Sequence, residues 1–172
     1  SRLHLLEHLQ QQVDTLHSLF PRPRLSIEGW VEGEIEKRPA VDVEDELKQK
    51  LALDRALDRE TGRTQHGIHR SDLQVVFAGK DMPASQCSTG EQKALLVSII
   101  LAHALMMQAE KGFVPLILLD EVAAHLDAAR REQLFEQLRA LKGQVWLTGT
   151  DDSIFSSLGG QAKFFRVDQG HI

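Results

Sequence analysis

One short segment constrains the fold more than any other part of the chain. The six residues from Val114 to Leu119 are all apolar and are followed directly by Asp120 and Glu121. A run of this length is typical of a strand, and continuous rather than alternating hydrophobicity predicts a parallel strand covered on both faces. In open parallel sheets, ligands bind at the carboxyl ends of the strands. The two acids therefore follow the strand at the place where a ligand is expected.

The pattern around this segment predicts an α/β fold. A helix after Gly90 is apolar nearly all round, which predicts deep burial. Alternation of helices with buried strands is typical of half of a parallel α/β sheet. Strands are predicted at residues 73–77, from Met82 onward, at 145–148 and at 164–167, with helices after Gly90 and at 128–141 and a short turn or helix at 153–158.

The first part of the chain has a mainly helical pattern of apolar residues. An apolar stripe with three- and four-residue steps predicts a helix over residues 3–20, ended by Pro21 and Pro23. A short strand is predicted at 25–32 and a second helix at 43–60. That helix is expected to turn four leucines inward: Leu47, Leu51, Leu53 and Leu57. The break at 62–67 divides the chain into a mainly helical segment, 1–61, and an α/β region, 62–172.

Composition limits the classes of protein to which the chain can belong. Its 172 residues suit about one domain, and residues 28–60 carry the whole net charge of −5. A basic footprint for nucleic acid is therefore absent from the totals. The single cysteine excludes a disulfide framework and predicts a reducing compartment, the cytoplasm. No apolar run reaches 18 residues, so no membrane span is expected.

The acids after the apolar run suggest nucleotide hydrolysis. Adjacent carboxylates behind buried aliphatic residues are costly unless a cation or a substrate uses them. Asp120 would hold Mg²⁺, directly or through its water, and Glu121 would polarise the attacking water. The alternative is a strand end that carries two solvated acids.

A second candidate is Ser88-Thr89-Gly90-Glu91-Gln92, at the start of the buried helix. Backbone N–H groups, a hydroxyl and the positive end of the helix dipole together form an anion site. The alternative is a plain N-cap, with Glu91 favourably placed in the first turn.

Together, these motifs resemble the signature loop, Walker B strand and D-loop of the ATP-binding cassette ATPases, in the usual order. The particular residues in these motifs are similar to those of the RecF family of bacterial DNA-repair ATPases. Gly67-Ile68-His69-Arg70 also looks like the Gly-Pro-His-Arg motif of that family. The resemblance is strong over residues 62–172 and rests on helix layout over 1–61. It is carried by residues 87–93, 119–127 and 148–151.

The chain departs from the family pattern at three points. Ile68 stands where the family usually has proline, and Thr150 stands where many cassettes keep a switch histidine. Sensing of the γ-phosphate would then depend on Thr148, Thr150 or Asp151, which predicts slow hydrolysis. A P-loop, Gly-x4-Gly-Lys-Ser/Thr, does not occur in the sequence. The resemblance is therefore to the C-terminal portion of a RecF-type ATPase, and this chain alone is expected to be inactive with negligible ATP binding.

The resemblance implies a mechanism and a set of partners. Residues 1–61 would form a helical arm (lobe II segment), and 62–172 the C-terminal part of an ATPase head. ATP with Mg²⁺ would lie between two heads, so that ATP drives homodimerisation on gapped or junction DNA. RecR would be a partner, with loading of RecA in DNA repair, replication restart and the SOS response as the outcome. The signature residues Ser88, Thr89, Gly90 and Gln92, together with Asp127 and Thr150, would contact nucleotide.

Other residues and other functions stay open. Candidates for contact with DNA phosphates are His69, Arg70, Arg22 and Arg24, with solvated surface charges as the alternative. Zinc is not expected, because no cysteine or acid cluster completes a site with the histidines. One alternative function is a non-catalytic interaction or dimerisation module with a degenerate cassette. Another is an SMC-like head, although sustained heptads for a long coiled coil are lacking.

Overall fold

The computed structural model describes residues 2–16, 19–169 and 171, and these residues form two small sheets and six α-helices. The helices are α1 (Arg2–Thr15), α2 (Trp30–Ile35), α3 (Ala40–Leu53), α4 (Arg55–Thr61), α5 (Thr89–Lys111) and α6 (Ala128–Ala140). The strands are β1 (Pro23–Glu28), β2 (Asp72–Phe77), β3 (Met82–Pro83), β4 (Ile117–Leu119) and β5 (Val145–Leu147).

The first sheet is antiparallel, in the order β1–β2–β3. Leu25 lies opposite Val75, and Met82 lies opposite Phe77, so the predicted return strand at Met82 is confirmed. The sheet pairs β1 with β2 across the 61/62 division, and α1 packs on α5. The domain division itself stays a prediction.

The predicted strand at 25–32 is wrong beyond residue 28. Gly29 is extended, and the chain then enters α2 at Trp30. The helix turns Glu32 inward, where the residue is only 4% exposed. Its carboxylate accepts hydrogen bonds from the Ser71 hydroxyl at 2.6 Å and from the Arg2 guanidinium at 3.4 Å. The apolar–polar alternation was too short to distinguish a strand from one turn of helix.

The predicted helix at 43–60 is broken in two, because Asp54 separates α3 from α4. Val43 is buried, whereas Leu53 is 82% exposed and Leu57 is also exposed. The expectation that these two leucines face inward is therefore wrong. Leu57 lies in α4, after the break, where the helix starts a new rotational phase and the apolar stripe of α3 does not continue. Leu53 is the last residue of α3.

The second sheet pairs β4 with β5 in parallel, with Leu118 opposite Trp146. Both α5 and α6 pack on one face of it, and the burial of Leu134, Leu138 and Leu141 confirms the predicted inward face of α6. This core also holds Phe20, Ala94, Val97, Leu101, Ala104, Ile117, Leu119, Ala123, Leu126, Phe135 and Leu158. The parallel pairing predicted from continuous hydrophobicity is confirmed.

The opposite face of the β4–β5 pair is open within the described residues. Leu118 is 67% exposed and Trp146 is 49% exposed. The Phe165 ring stacks beside Trp146, with 6.2 Å between the ring centroids. The expectation of a strand covered on both faces is therefore wrong for this chain, because its helices lie on one side of the sheet only.

The end of α6 and the C-terminal segment have features that the sequence patterns do not describe. After α6, the residue with a positive φ is Lys142 and not Gly143. Instead, a Cβ on Gly143 would come within 2.5 Å of Val114 Cγ1, so glycine permits a close approach of two chain segments. The predicted turn at 153–158 is a 3₁₀ stretch, Asp152–Gln161. The predicted strand at 164–167 is wrong, because those residues pair with no strand in the described chain.

Among the described residues, α5 is the helix with the length and composition of a membrane span. Its most apolar 18-residue window has a mean hydropathy of 1.4, and 44% of that window is buried in the fold. Core helices of soluble proteins have the same properties, so this observation is weak evidence for a membrane span.

Candidate active site

The ends of β4 and β5 bring three candidate side chains together. Asp120 and Glu121 follow β4, and Thr148 follows β5. The Thr148 N–H donates to the Leu119 carbonyl at 3.1 Å, which extends the parallel ladder by one bond. The Thr148 hydroxyl donates to Asp120 Oδ1 at 2.5 Å and accepts from the Glu121 N–H at 3.0 Å. Both carboxylates are exposed at this edge of the sheet, as the strand-end argument predicts.

Glu121 adopts a backbone conformation that side chains rarely take. Its φ is +51°, in the left-handed region. For a residue other than glycine this conformation costs about 1–2 kcal/mol, and such residues cluster at functional sites. The sequence carries no signal for it, because Glu121 is not a residue type that marks a left-handed turn.

The predicted signature loop forms the N-terminus of α5. Ser88 is the N-cap, and its hydroxyl accepts from the Glu91 N–H at 3.4 Å. The Glu91 carboxylate in turn accepts from the Ser88 N–H at 2.9 Å and from its hydroxyl at 2.8 Å. This reciprocal arrangement is a capping box. The capping box uses the N–H and hydroxyl of Ser88, and it leaves the N–H groups of Thr89 and Gly90 without an intrahelical acceptor.

A lysine from the turn before β3 completes this loop. The Lys80 ammonium group forms an ion pair with the Glu91 carboxylate. That contact, followed by the two hydrogen bonds from Ser88, lowers the pKa of Glu91 from 4.5 to about 2. Sequence reasoning missed Lys80, because it lies 11 positions before Glu91 and no local pattern links the two.

The remaining signature residues have distinct environments. The Gln92 amide donates to the carbonyls of Ala84 at 2.9 Å and Cys87 at 3.2 Å, which fixes the segment before the helix. Thr89 is exposed in the first turn, and the missing Cβ of Gly90 faces open space. Backbone N–H groups in a first helical turn have no intrahelical acceptor. The first turn is therefore accessible to an anion.

The two candidates beyond β4 and β5 lie at helix starts. Asp127 is the N-cap of α6, where its carboxylate accepts from the Arg130 N–H at 2.9 Å. Thr150 is exposed, and Asp151 caps the following 3₁₀ stretch by accepting from the Ser153 N–H at 2.8 Å. The backbone and hydroxyl of Ser153 lower the pKa of Asp151.

The candidate phosphate-contact residues lie in two places. His69 and Arg70 are exposed in the 3₁₀ turn Ile68–Arg70, where His69 Nε2 lies 3.2 Å from the Thr64 carbonyl. Arg24 on β1 pairs with Asp81 at 2.5 Å, and Arg22 immediately before β1 is exposed. Gly67 before the turn has a φ of +147°, and a Cβ there would lie 2.8 Å from His69 Nδ1. The turn therefore requires glycine at that position.

The donor set at the β4 end fits Mg²⁺. Asp120 offers a hard carboxylate oxygen at an exposed strand end, and Mg²⁺ is commonly held by one or two carboxylates, with water and substrate phosphates completing its shell. No group of three or more histidine, cysteine or acidic side chains within the described residues could hold a metal by itself. An ion bound here would take its other ligands from water and nucleotide.

Comparison with curated proteins gives relatives along the whole chain, although no family model matches it. The RecF protein of Mesorhizobium japonicum is 48% identical over 174 residues, which cover 100% of this chain and 46% of that protein. The RecF protein of Agrobacterium fabrum is 49% identical over 156 residues, covering 91% of this chain and 41% of that protein. This chain is homologous to the C-terminal portion of RecF. The resemblance inferred from its motifs is confirmed.

Solved structures agree with the sequence relatives. A RecF–ATP structure described as a recombination mediator in the RecFOR pathway matches 88% of this chain with a TM-score of 0.64 and 25% identity. A second RecF structure, labelled RecF-ATPrS, gives the same score over 89% of the chain. The α/β fold of an ATP-binding cassette ATPase is thereby confirmed. The chain spans less than half of the length of the RecF relatives that it matches.

Proposed function

We propose that this chain supplies the signature loop and the hydrolytic carboxylates of a RecF-type ATPase head that acts in DNA repair and replication. The observation that carries the proposal is the joined end of β4 and β5, where Thr148 contacts both Asp120 and the backbone of Glu121. Exposed acids held at the carboxyl end of a parallel strand are suited to phosphoryl chemistry.

The two carboxylates have separate roles in this proposal. Asp120 holds Mg²⁺, and Glu121 accepts a proton from the water that attacks the γ-phosphate. When bound, Mg²⁺ neutralises the charge that develops on the phosphate oxygens. The Thr148 hydroxyl contacts both the Asp120 carboxylate and the Glu121 N–H, so the two acidic residues are joined to the same point of the neighbouring strand.

The signature loop acts on a nucleotide held by a second subunit. The N–H groups of Thr89 and Gly90 face the γ-phosphate of that ATP, and Gln92 fixes the loop from behind. The Ser88 hydroxyl, which donates to the Glu91 carboxylate in the observed geometry, turns to the phosphate when that ATP binds. The support is the exposed first turn of a 23-residue helix, where the helix dipole favours an anion. Asp127 and Thr150 complete the contact between the two heads. ATP then joins two copies, and hydrolysis releases them.

The DNA-repair role brings further partners. Gapped or junction DNA contacts the exposed His69, Arg70, Arg22 and Arg24 through its phosphates. RecR binds the assembled dimer, which leads to RecA loading in the cytoplasm as part of replication restart and the SOS response. With threonine at 150, hydrolysis is slow. The chain by itself, without a P-loop, binds ATP negligibly.

A chimaera tests the proposal. This chain replaces the matching C-terminal region of the Mesorhizobium japonicum RecF protein, hereafter the RecF chimaera. We expect Glu121→Gln to lower ATP turnover by ~10²–10⁴-fold, the usual contribution of a general base, and to trap an ATP-bound dimer. Turnover is measured by phosphate release, and the dimer by light scattering with ATP.

The matched control is Glu136→Gln, since Glu136 is exposed on α6 and makes no ion pair among the described residues. It should leave turnover and dimerisation unchanged. Unchanged turnover in Glu121→Gln would rule out Glu121 as the base. Activity in the parent RecF but none in the unmutated chimaera would favour the alternative of a non-catalytic dimerisation module.

A further inference from the structure

The hydroxyl of Thr148 uses its only hydrogen and one lone pair on the two residues that follow β4. A threonine hydroxyl has one hydrogen to donate and two lone pairs. The hydrogen is directed to Asp120 Oδ1 at 2.5 Å, and one lone pair accepts from the Glu121 N–H at 3.0 Å. The sequence places Thr148 among three candidates for a γ-phosphate sensor, but a hydroxyl that donates to a carboxylate has no second hydrogen for a phosphate.

The backbone fixes Thr148 in this position. Its N–H donates to the Leu119 carbonyl, so the β4–β5 ladder holds the residue directly opposite the start of the acidic pair. The hydroxyl therefore approaches from a neighbouring strand and does not depend on the conformation of the loop that carries the acids. This contact can set the loop's conformation.

Two properties of the loop depend on that contact. The Asp120 side chain has one oxygen hydrogen-bonded to the hydroxyl, which fixes its orientation and leaves the other oxygen for a cation. The Glu121 backbone has a φ of +51°, a costly conformation that persists when surrounding contacts hold it. The hydrogen bond from the Glu121 N–H to Thr148 is such a contact.

Thr150, two residues further on, differs. Its side chain is exposed and makes no comparable hydrogen bond within the described chain. A role in contact with nucleotide is therefore open to Thr150 but not to Thr148 in the observed geometry.

We propose that Thr148 is a positioning residue, which orients the metal-binding oxygen of Asp120 and holds Glu121 in its left-handed conformation. This inference rests on the proposed function for its effect on hydrolysis. Its structural part, the restraint on Glu121, can be measured without nucleotide.

The test compares Thr148→Val with Thr148→Ser in the RecF chimaera. Valine keeps the shape of the side chain and removes the hydroxyl, whereas serine keeps the hydroxyl. Thr15→Val at the exposed end of α1 is the matched control, since the Thr15 hydroxyl donates to the Gln12 carbonyl of its own helix turn and to no other group in the described part of the chain. Three quantities are measured: exchange of the Glu121 amide hydrogen without nucleotide, the Mg²⁺ concentration that gives half-maximal hydrolysis, and kcat with KM for ATP.

For Thr148→Val we expect Glu121 amide exchange to rise by ~10-fold. We expect kcat to fall and the half-saturating Mg²⁺ concentration to rise. The two changes should multiply to a ~10–100-fold effect, as is usual when a group that orients a metal ligand is removed. KM for ATP should change little. Thr148→Ser should restore all three quantities to near the unmutated values.

Two results would overturn the inference. One is equal Glu121 exchange in all variants, and the other is a Thr148→Val variant that keeps its Mg²⁺ dependence and loses only ATP affinity, as a phosphate sensor would. An unmutated chimaera without ATPase activity would contradict the proposed function instead, and the exchange measurement would still decide the restraint on Glu121.

Discussion

The candidate site has two halves, the signature loop at the start of α5 and the acids at the end of β4, and different contacts hold each of them. At the signature loop, Ser88, Glu91 and Lys80 contact one another, and Gln92 bonds to the carbonyls just before the helix. At the end of β4, the exposed acids are restrained by a single hydroxyl from another strand, and Glu121 has a strained backbone.

The difference teaches where each half obtains its geometry. The signature loop is organised by contacts within one short stretch of chain, residues 80–92. The carboxylate end is organised by the alignment of β4 with β5, which are 25 residues apart at their closest ends. Changes that break contacts within the loop should therefore lower the free energy of unfolding, whereas changes at the exposed acids should lower turnover and leave that free energy nearly unchanged.

The largest expected effect is on chemistry alone. Asp120→Asn in the RecF chimaera should lower ATP turnover by at least ~100-fold, because it weakens Mg²⁺ binding that supplies several kcal/mol of charge stabilisation. The midpoint of urea unfolding should stay within experimental error of the unmutated protein, since Asp120 is exposed. A large loss of stability would show that the acids are part of the folded framework, which would remove the contrast between the two halves.

A substitution outside both halves should disturb only the carboxylate end of β4. Gly143→Ala places a Cβ within 2.5 Å of Val114 and should cost about 1–3 kcal/mol of unfolding free energy through overpacking. Because Gly143 and Val114 precede β5 and β4, the change should shift these strands and also lower turnover. Gly33→Ala, where a Cβ meets open space on α2, is the control. Equal stability of the two variants would contradict the close approach.

The third effect is on the stability that the N-cap of α5 contributes. Ser88→Ala removes the N-cap of α5 and should cost about 1 kcal/mol, within the usual 0.5–2 kcal/mol range for such caps. Ser85→Ala, three residues earlier and exposed, is the matched control and should change the unfolding free energy little. A cap that contributes nothing would mean that Lys80 and Gln92 suffice to hold the loop.

The smallest expected effect is on the pH dependence of stability, through Glu91 in the same loop. The pKa of Glu91 is lowered to about 2 in the folded chain by Lys80 and Ser88, from 4.5. Its contribution to stability is therefore fully present above pH 4.5 and is lost as the pH falls towards 2. Glu91→Gln should make unfolding less dependent on pH between 4.5 and 2, as measured by urea unfolding at several pH values. Parallel pH profiles for the two proteins would rule out this contribution.

The sequence predicted the elements with strong local signals and missed those that depend on distant contacts. The capping motif at Ser88 and the continuous apolar run before Asp120 each reflect a local rule, and the structure has a capped helix and a parallel strand there. The Lys80–Glu91 pair and the left-handed Glu121 depend on tertiary packing, which no spacing encodes.

The errors have equally specific causes. Trp30 to Glu32 continued an alternating pattern but forms a helix, because Glu32 turns towards Ser71 and Arg2 from other segments. The continuous apolar run predicted cover on both faces of β4, yet Leu118 is exposed, because hydrophobicity records that a face suits an apolar partner and not which segment provides one.

The central claim is that the signature loop of one subunit and the carboxylates of another share each ATP. The most direct test mixes two inactive RecF chimaeras, Ser88→Arg and Glu121→Gln, in equal amounts before ATP is added. If the two halves act in different subunits, mixed dimers contain one intact site, and random pairing should restore about a quarter of unmutated turnover. If the mixture stays as inactive as its components, Ser88 and Glu121 serve the same subunit's nucleotide or no nucleotide, and the account is contradicted.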